Sequence, residues 1–565
     1  MRFDRARCMI DLLRDRAAAQ PEDPAFTFLA DGEEAMAPVT WRELERRSRA
    51  IGAAVAQCVD PGARVLVMFP PSIEFVAAFF GVLYAGGIAV PAYPPAGGRA
   101  DRTIERLRGM AADSGAALIV APHSIRESVR ACVEGICELP WLAPESVDDD
   151  RADDWRAPGI TGDSLALLQY TSGSTSAPRG VMVSHANLLH NLAATHRDGH
   201  YDRDSVSISW LPINHDMGLI NGVLQPVFSG CHAYLMAPAT FLQRPSRWLQ
   251  AISRYGGTHS GGPNFAYDLC VRRVNDADSA MLDLACWRVA YNGSEPVRRA
   301  TLEAFQAKFG VRGFRWEALC PAYGLAESTL LVTSVPAGTA PRFRGNVVAS
   351  GILQRHGPRV AIVDPATRRG LPDGRSGEIW VSSDSVAQGY WNRPQQTSDT
   401  FGAFTRDRQG PFLRTGDLGI VEDGSLFVTG RLKDVLIVRG VKHHPHDIEL
   451  TAERAHPALR AGCCAAVAIS GDDEERVALI AELDARGRQR IDSMDLTQVL
   501  IAIRIAVASA HAISLRAVTL IRAGTLPKTT SGKLQRFLCR EALEHDMLEP
   551  LASWTEETSA ERAAS

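Results

Sequence analysis

Short apolar runs alternate with helical spacing through the first half of the chain, and this pattern constrains its fold more than any other feature. Residues 64–69 (RVLVMF) read as a buried strand; after two prolines, residues 72–83 have helical spacing, with Ser72 placed to cap them. Residues 116–121, 165–169 and 206–211 repeat the strand pattern. Units of this kind predict a sheet with helices packed on its faces. Residues 76–93 are uncharged and long enough to suggest a membrane span. Gly86-Gly87 interrupts them and Ile88-Ala89-Val90 then reads as a strand ending at prolines, so a helix, a glycine stop and a strand fit better. No transmembrane segment is expected.

After about residue 345 the texture changes to short strands (359–363, 378–381, 425–428) joined by Asp-Gly and Gly-rich turns, which predicts a small β-rich subdomain. Beyond Arg431-Leu432-Lys433-Asp434, strands at 435–438, 464–469 and 477–482 and a helix at 496–508 predict a compact α/β unit. The expected organisation is a large domain over 1–430, a hinge at 431–433, a lid over 434–550 and a polar tail over 551–565. Asp492-Ser493-Met494 superficially matches the serine of a carrier domain, but the strands before it and the lysine-rich loop after it favour a helix N-cap at Ser493.

The length, 565 residues, suggests three or four folding units, and 61 basic against 65 acidic side chains leave no basic excess for nucleic acid. The amino terminus mixes both charge signs and has no apolar signal region. Eleven cysteines form no CxxC pair, which predicts reduced thiols and a cytoplasmic location. His443-His444-Pro445-His446 reads as a loop cluster rather than a metal site.

The densest chemical signal is Tyr170-Thr171-Ser172-Gly173-Ser174-Thr175-Ser176-Ala177-Pro178-Arg179-Gly180, set between two strands. Such a loop offers backbone N–H groups and hydroxyls to one anion, which is how a polyphosphate is held. No Gly-Lys-Ser/Thr follows and no helix starts at its end, so it is not a Walker A loop.

This segment resembles the phosphate loop of the adenylate-forming superfamily, and further matches follow in order. Tyr291-Asn292-Gly293-Ser294-Glu295-Pro296 resembles the adenine turn. Ala322-Tyr323-Gly324-Leu325-Ala326-Glu327 resembles the motif whose tyrosine stacks on adenine and whose glutamate holds Mg²⁺. Arg414-Thr415-Gly416-Asp417 resembles the ribose segment, Gly430-Arg431-Leu432-Lys433-Asp434 the hinge, and residues 526–533 the lysine loop. Within the superfamily, Asn214-His215-Asp216-Met217-Gly218, His185-Ala186-Asn187-Leu188 and Arg179 resemble the fatty acyl-AMP ligases.

The resemblance implies an α/β fold: a large N-terminal domain of two sheet-and-helix subdomains plus a small β-barrel-like one, followed by a small mobile C-terminal α/β domain, with the active site between them. It implies ATP and Mg²⁺ as cofactors, and a fatty acid and a phosphopantetheinylated acyl carrier protein as partners. Thr171, Ser172, Gly173, Ser174 and Thr175 would hold phosphate. Gly293, Ser294, Tyr323 and Gly324 would hold adenine, and Asp417 and Arg431 the ribose. Glu327 would bind the metal, His215 would stand near the acyl carboxylate, and Lys533 would supply charge to the reacting oxygens. Lys433 would be the pivot. Residues 333–349 are short where the ligases carry an insertion, so an acyl-CoA synthetase stays open as an alternative. An amino-acid adenylating enzyme and a nucleotide-binding regulator without catalysis are further alternatives. No aspartate stands where it would hold an ammonium group, and the presence of both Glu327 and Lys533 argues against the regulator.

Overall fold

The computed structural model describes residues 6–94, 100–127, 129, 138–171, 178–438, 441–469, 476–484, 495–528 and 534–556. The chain divides into two compact units, Met1–Thr415 with Gly419–Val428, and Gly416–Leu418 with Thr429–Ser565.

The first unit contains two large sheets. One has six strands in the order Trp141–Leu142, Leu118–Val120, Arg64–Met68, Ile88–Ala92, Leu165–Thr171, Arg179–Ser184. All neighbours run parallel except the last pair, in which Arg179–Ser184 returns antiparallel along Leu165–Thr171. The other has eight strands, Leu331–Ser334, Leu319–Gly324, Val289–Asn292, His259–Gly262, Val206–Ser209, His232–Met236, Pro24–Leu29 and Val39–Thr40, with a parallel centre and antiparallel edges. Parallel strands buried on both faces explain the continuous apolar runs of the sequence.

The doubtful stretch after residue 76 is a buried helix, Ile73–Tyr84, followed by Gly86 at φ +73° and the strand Ile88–Ala92. That helix lies close against Trp41–Ala56. A Cβ on Gly52 would stand 2.5 Å from Tyr84 Cβ, and one on Gly81 2.5 Å from Ile51 Cγ2, so the two glycines let the helices meet. No helix among the described residues is long and apolar enough to cross a membrane. Ser72 does sit at the N-cap position, but it makes no cap hydrogen bond; its hydroxyl donates back to Pro70 O at 3.1 Å. That bond turns the hydroxyl toward the preceding chain, and its oxygen accepts from no first-turn N–H, so the expected cap is not made.

The β-rich region is a six-stranded sheet ordered Phe343–Arg344, Val347–Ile352, Ser425–Arg431, Leu413–Glu422, Gly377–Ser382, Arg359–Val363. The second unit holds a four-stranded sheet of Leu459–Ile469, Arg476–Leu483, Leu515–Ile521 and Pro550–Thr555, with the helices Pro445–Ala455, Leu496–His511 and Arg536–Glu544. The polar tail expected from residue 551 therefore starts later. Residues 550–555 pair antiparallel with Leu515–Ile521, and Leu551 and Trp554 pack against the core of this unit. Ser493 lies outside the described residues. The nine described cysteines are all free, and no group of metal-ligating side chains gathers among the described residues.

Buried histidines give the first unit a pH dependence. His185 Nδ1 faces the Met9 N–H at 3.2 Å, so the ring must be neutral there to accept; His259 Nε2 lies 2.8 Å from Gly199 O. Burial pushes both rings down to about 4. An unfolded histidine titrates near 6.5, so the unfolded chain binds the extra protons first and stability is lost as pH falls below that value. We expect a loss of about 3 kcal/mol per histidine between pH 6.5 and 4, read by urea unfolding. His185→Gln should flatten part of that slope, and an unchanged slope would contradict the assignment.

Candidate active site

In the first unit, the described residues expected at the site stand at or just beyond the carboxyl ends of strands. Leu165–Thr171 leads into the hydroxyl-rich loop and Arg179–Ser184 leads out. Thr171 is described; Ser172, Gly173, Ser174 and Thr175 lie outside the described residues, as does Lys533. The loop's stems are held on both sides. Tyr170 Oη donates to Asp113 Oδ2 at 2.7 Å, and the other oxygen of that carboxylate accepts from Arg393 at 2.6 Å. On the strand into the loop, Gln169 Nε2 donates to Asn214 O at 3.1 Å, which ties the segment carrying His215 to that strand.

His215 itself faces Asp216, with Nδ1 2.5 Å from Oδ1. The helix cap here is its neighbour: Asp216 Oδ1 accepts from the Met217 N–H at 2.7 Å and opens a π-helix, Met217–Leu224. Gly218 is obligatory there, since a Cβ would fall 2.0 Å from Pro212 O. The side chain of His215 keeps 24% of its surface exposed.

The adenine turn and the tyrosine motif stand at the ends of adjacent parallel strands, Val289–Asn292 and Leu319–Gly324. In open α/β sheets ligands bind at the carboxyl ends of the strands. Gly293 is within 2.8 Å, measured from a notional Cβ, of Ala322 O, and Ser294 has φ +73°. Glu295 Oε1 accepts from the Phe265 N–H at 2.6 Å, anchoring the turn to the helix Asn264–Arg273. Tyr323 is 8% exposed and packs with Val332, Ile362 and Val381.

Glu327 is half-buried on a turn that other side chains build. From the helix His185–Asp198, Asn191 donates to Ser328 O and Leu331 O and accepts from the Leu331 N–H. Thr329, at φ +65°, donates to Ser385 O at 2.6 Å. Asn187 closes the amino end of that helix and donates to Asp384 O and Val386 O. Tyr390 Oη donates to Glu327 Oε1 at 2.7 Å; burial and the adjacent carboxylate push this phenol well above its ordinary value, so it stays a donor. Glu327 Oε2 makes no hydrogen bond to a described residue, and Glu327 forms no ion pair among them. A half-buried carboxylate with one oxygen held and one open suits a hard cation that takes few protein ligands and keeps its waters, as Mg²⁺ does.

In the second unit, Arg431 Nε donates to Asp417 Oδ1 at 3.0 Å. Asp417 is 5% exposed, and the Arg431 side chain is largely exposed. The two residues expected at the ribose are thus brought together as an ion pair. The stems of the lysine loop are anchored as well. Lys528 bridges Leu534 and its ammonium reaches Gly462 O at 2.6 Å, while Arg536 grips Glu449 at 2.7 Å and Asp434 at 3.0 Å.

Sequence reasoning missed Tyr390, Asn191 and Thr329. Gly389-Tyr390-Trp391 lies in a turn-rich stretch far from Glu327 in the chain, and no local spacing links the two.

This arrangement is that of an enzyme that binds a nucleotide and activates a carboxylate. Residues 13–391 match the AMP-binding enzyme family, and residues 433–547 match the AMP domain of the Disco-interacting protein 2-like family. The chain belongs to the AMP-binding, adenylate-forming enzymes and, within them, to the fatty acyl-AMP ligases. It is 41% identical to the medium-chain-fatty-acid–[acyl-carrier-protein] ligase JamA of Moorena producens (strain JHB), over 98% of each chain. It is 37% identical to the long-chain-fatty-acid–AMP ligase FadD28 of Mycobacterium tuberculosis (strain H37Rv), over 94% of this chain and 97% of that one. The solved fatty acyl-adenylate ligase of L. pneumophila, in complex with acyl adenylate and pyrophosphate, superposes with a TM-score of 0.74 at 36% identity, covering 98% of both chains.

Proposed function

We propose that the protein activates a fatty acid with ATP to an acyl adenylate and then passes the acyl group to the phosphopantetheine thiol of an acyl carrier protein. The observation that carries this reading is the full-length likeness to a relative named as a fatty-acid–carrier-protein ligase. In the first step a carboxylate oxygen attacks the α-phosphorus and the bond to the β-phosphate breaks, releasing pyrophosphate. In the second the thiol sulfur attacks the acyl carbonyl, its proton passes to solvent, and AMP leaves.

Two anions must meet in the first step, so the site has to neutralise charge. Lys533 supplies a positive charge at the reacting oxygens. Thr171 and the loop Ser172, Gly173, Ser174 and Thr175 hold the phosphates. Gly293, Ser294, Tyr323 and Gly324 shape the adenine slot. Asp417 and Arg431 exchange part of their mutual pairing for the ribose hydroxyls. Glu327, through Oε2, is the residue that would hold Mg²⁺, which when bound spreads the charge of the phosphate oxygens. His215 orients the acyl carboxylate. The second unit, pivoting at Lys433, withdraws Lys533 so that the thiol can enter.

A second reading, CoA as acceptor, is favoured by the short segment 333–349 and by a 36% identical relative named as a putative fatty-acid–CoA ligase. Both readings share the first step, which ATP–pyrophosphate exchange tests. Labelled pyrophosphate should enter ATP only when a fatty acid is present; no exchange across short, medium and long chains would exclude adenylation of fatty acids.

A further inference from the structure

Tyr390 has the features of a residue built to aim a carboxylate. Its ring is buried, 5% exposed, and meets Phe401 edge-on with centroids 5.1 Å apart. Thr397 fixes its backbone: the Thr397 hydroxyl accepts from the Tyr390 N–H at 2.9 Å and donates to its carbonyl at 3.3 Å. Gly389, at φ +128°, lets the chain pass so close to Thr397 that a Cβ would fall 2.2 Å from Thr397 Cγ2. A phenol held this firmly has little freedom, and it spends its one proton on Glu327 Oε1.

The segment carrying Tyr390 is also fastened to both stems of the phosphate loop. Its backbone pairs with the outgoing strand: Met182 N to Gly389 O at 2.9 Å, Gln388 N to Met182 O at 2.9 Å, and Trp391 N to Gly180 O at 2.8 Å. The Arg179 guanidinium lies over the Tyr390 ring, 5.4 Å from its centre. Arg393, three residues on, shares Asp113 with Tyr170 of the incoming strand. In the other direction the Ala387 N–H donates to Glu327 O at 3.0 Å. Residues 387–393 therefore tie the loop to both the backbone and the side chain of Glu327.

We propose that Tyr390 is a positioning residue for metal-assisted nucleotide binding: by engaging Oε1 it leaves Oε2 of Glu327 open to the cation and holds the carboxylate in register with the strands Leu165–Thr171 and Arg179–Ser184. This rests on the reading of Glu327 as the metal carboxylate. Without the phenol the carboxylate gains a rotamer freedom that each binding event has to remove, and the loop and the carboxylate lose their common reference.

The test is calorimetric ATP binding to the full chain without fatty acid, with and without Mg²⁺, in the wild type, Tyr390→Phe, Thr397→Val and Glu327→Gln. The quantity read is the ratio of the two affinities. In Tyr390→Phe that ratio should fall about tenfold, as the loss of one hydrogen bond to a charged group implies, while Mg²⁺-free binding stays within twofold of wild type. Thr397→Val keeps the ring and loosens its seat, and should lower the ratio about threefold in the same sense. Glu327→Gln should abolish the Mg²⁺ enhancement. A ratio in Tyr390→Phe equal to wild type, equal losses with and without Mg²⁺ in both Tyr390→Phe and Thr397→Val, or a wild type that gains nothing from Mg²⁺ would each overturn the proposal. Acyl-AMP formation by the same wild-type sample separates the two questions. A wild type that makes acyl-AMP beside an unchanged Tyr390→Phe ratio refutes the positioning role alone; a wild type that makes none refutes the fatty-acid reading.

Discussion

Replacing Lys533 with Ala should lower the rate of acyl-AMP formation about 100- to 1,000-fold, the range set by removal of one preorganised group from a developing charge. The first step brings a carboxylate to a polyphosphate, and the other side chains assigned to the phosphates, those of Thr171, Ser172, Ser174 and Thr175, are uncharged. The variant should fold normally, because the anchors of the loop lie outside the substituted position. Lys528 is fixed to Gly462 O, Leu526 N–H donates to Glu482 Oε1 at 2.8 Å, and Arg536 holds Glu449 and Asp434. Supplied with preformed acyl adenylate, the variant should still transfer the acyl group to its acceptor, since the thiol needs no charge from Lys533. Pyrophosphate release separates the outcomes: a variant within fivefold of wild type would remove Lys533 from the first step.

Gly324→Ala should be the most damaging small substitution among the residues proposed to hold the nucleotide. A Cβ at this position would fall 1.8 Å from Leu330 O, a carbonyl that accepts the Leu325 N–H at 3.0 Å. The obstacle is backbone, so a rotamer change cannot relieve it, and the turn that carries Glu327 has to move. We expect a loss of about 1–3 kcal/mol in stability, in the range of overpacked interiors. Because a displacement near 1 Å at a reacting group costs about 100-fold, kcat/KM for ATP should fall by about that factor. Gly370→Ala is the control: nothing lies within 4 Å of its added methyl, and stability should stay within about 0.5 kcal/mol of wild type. Two variants with similar unfolding midpoints would contradict the packing argument.

The parallel strands were legible because burial on both faces forces continuous apolar runs: the runs at 64–69 and 116–121 contain the strands Arg64–Met68 and Leu118–Val120. The candidate segment around Glu327 could be singled out because Ala322-Tyr323-Gly324-Leu325-Ala326-Glu327 is continuous in the chain and resembles a family motif as it stands. What stayed hidden depends on contacts distant in sequence. Tyr390 is 63 residues from Glu327, and Asn191 is 137 from Ser328; neither pairing leaves a spacing to read. The last strand, Pro550–Thr555, left a weak signal because it lies at a sheet edge, where Leu551, Ala552 and Trp554 are only partly buried. At Ser72 a local contact decides instead: the hydroxyl turns to donate to Pro70 O and accepts from no first-turn N–H.

The central claim is tested most directly by mass spectrometry of one reaction run twice, with ATP, Mg²⁺ and a fatty-acid series, offering CoA in one tube and a holo acyl carrier protein in the other. Acyl-AMP is expected in both tubes, an acylated carrier in the second, and little or no acyl-CoA in the first. Acyl-CoA as the main product, with the carrier unmodified, would contradict it and assign the chain to the CoA-dependent branch.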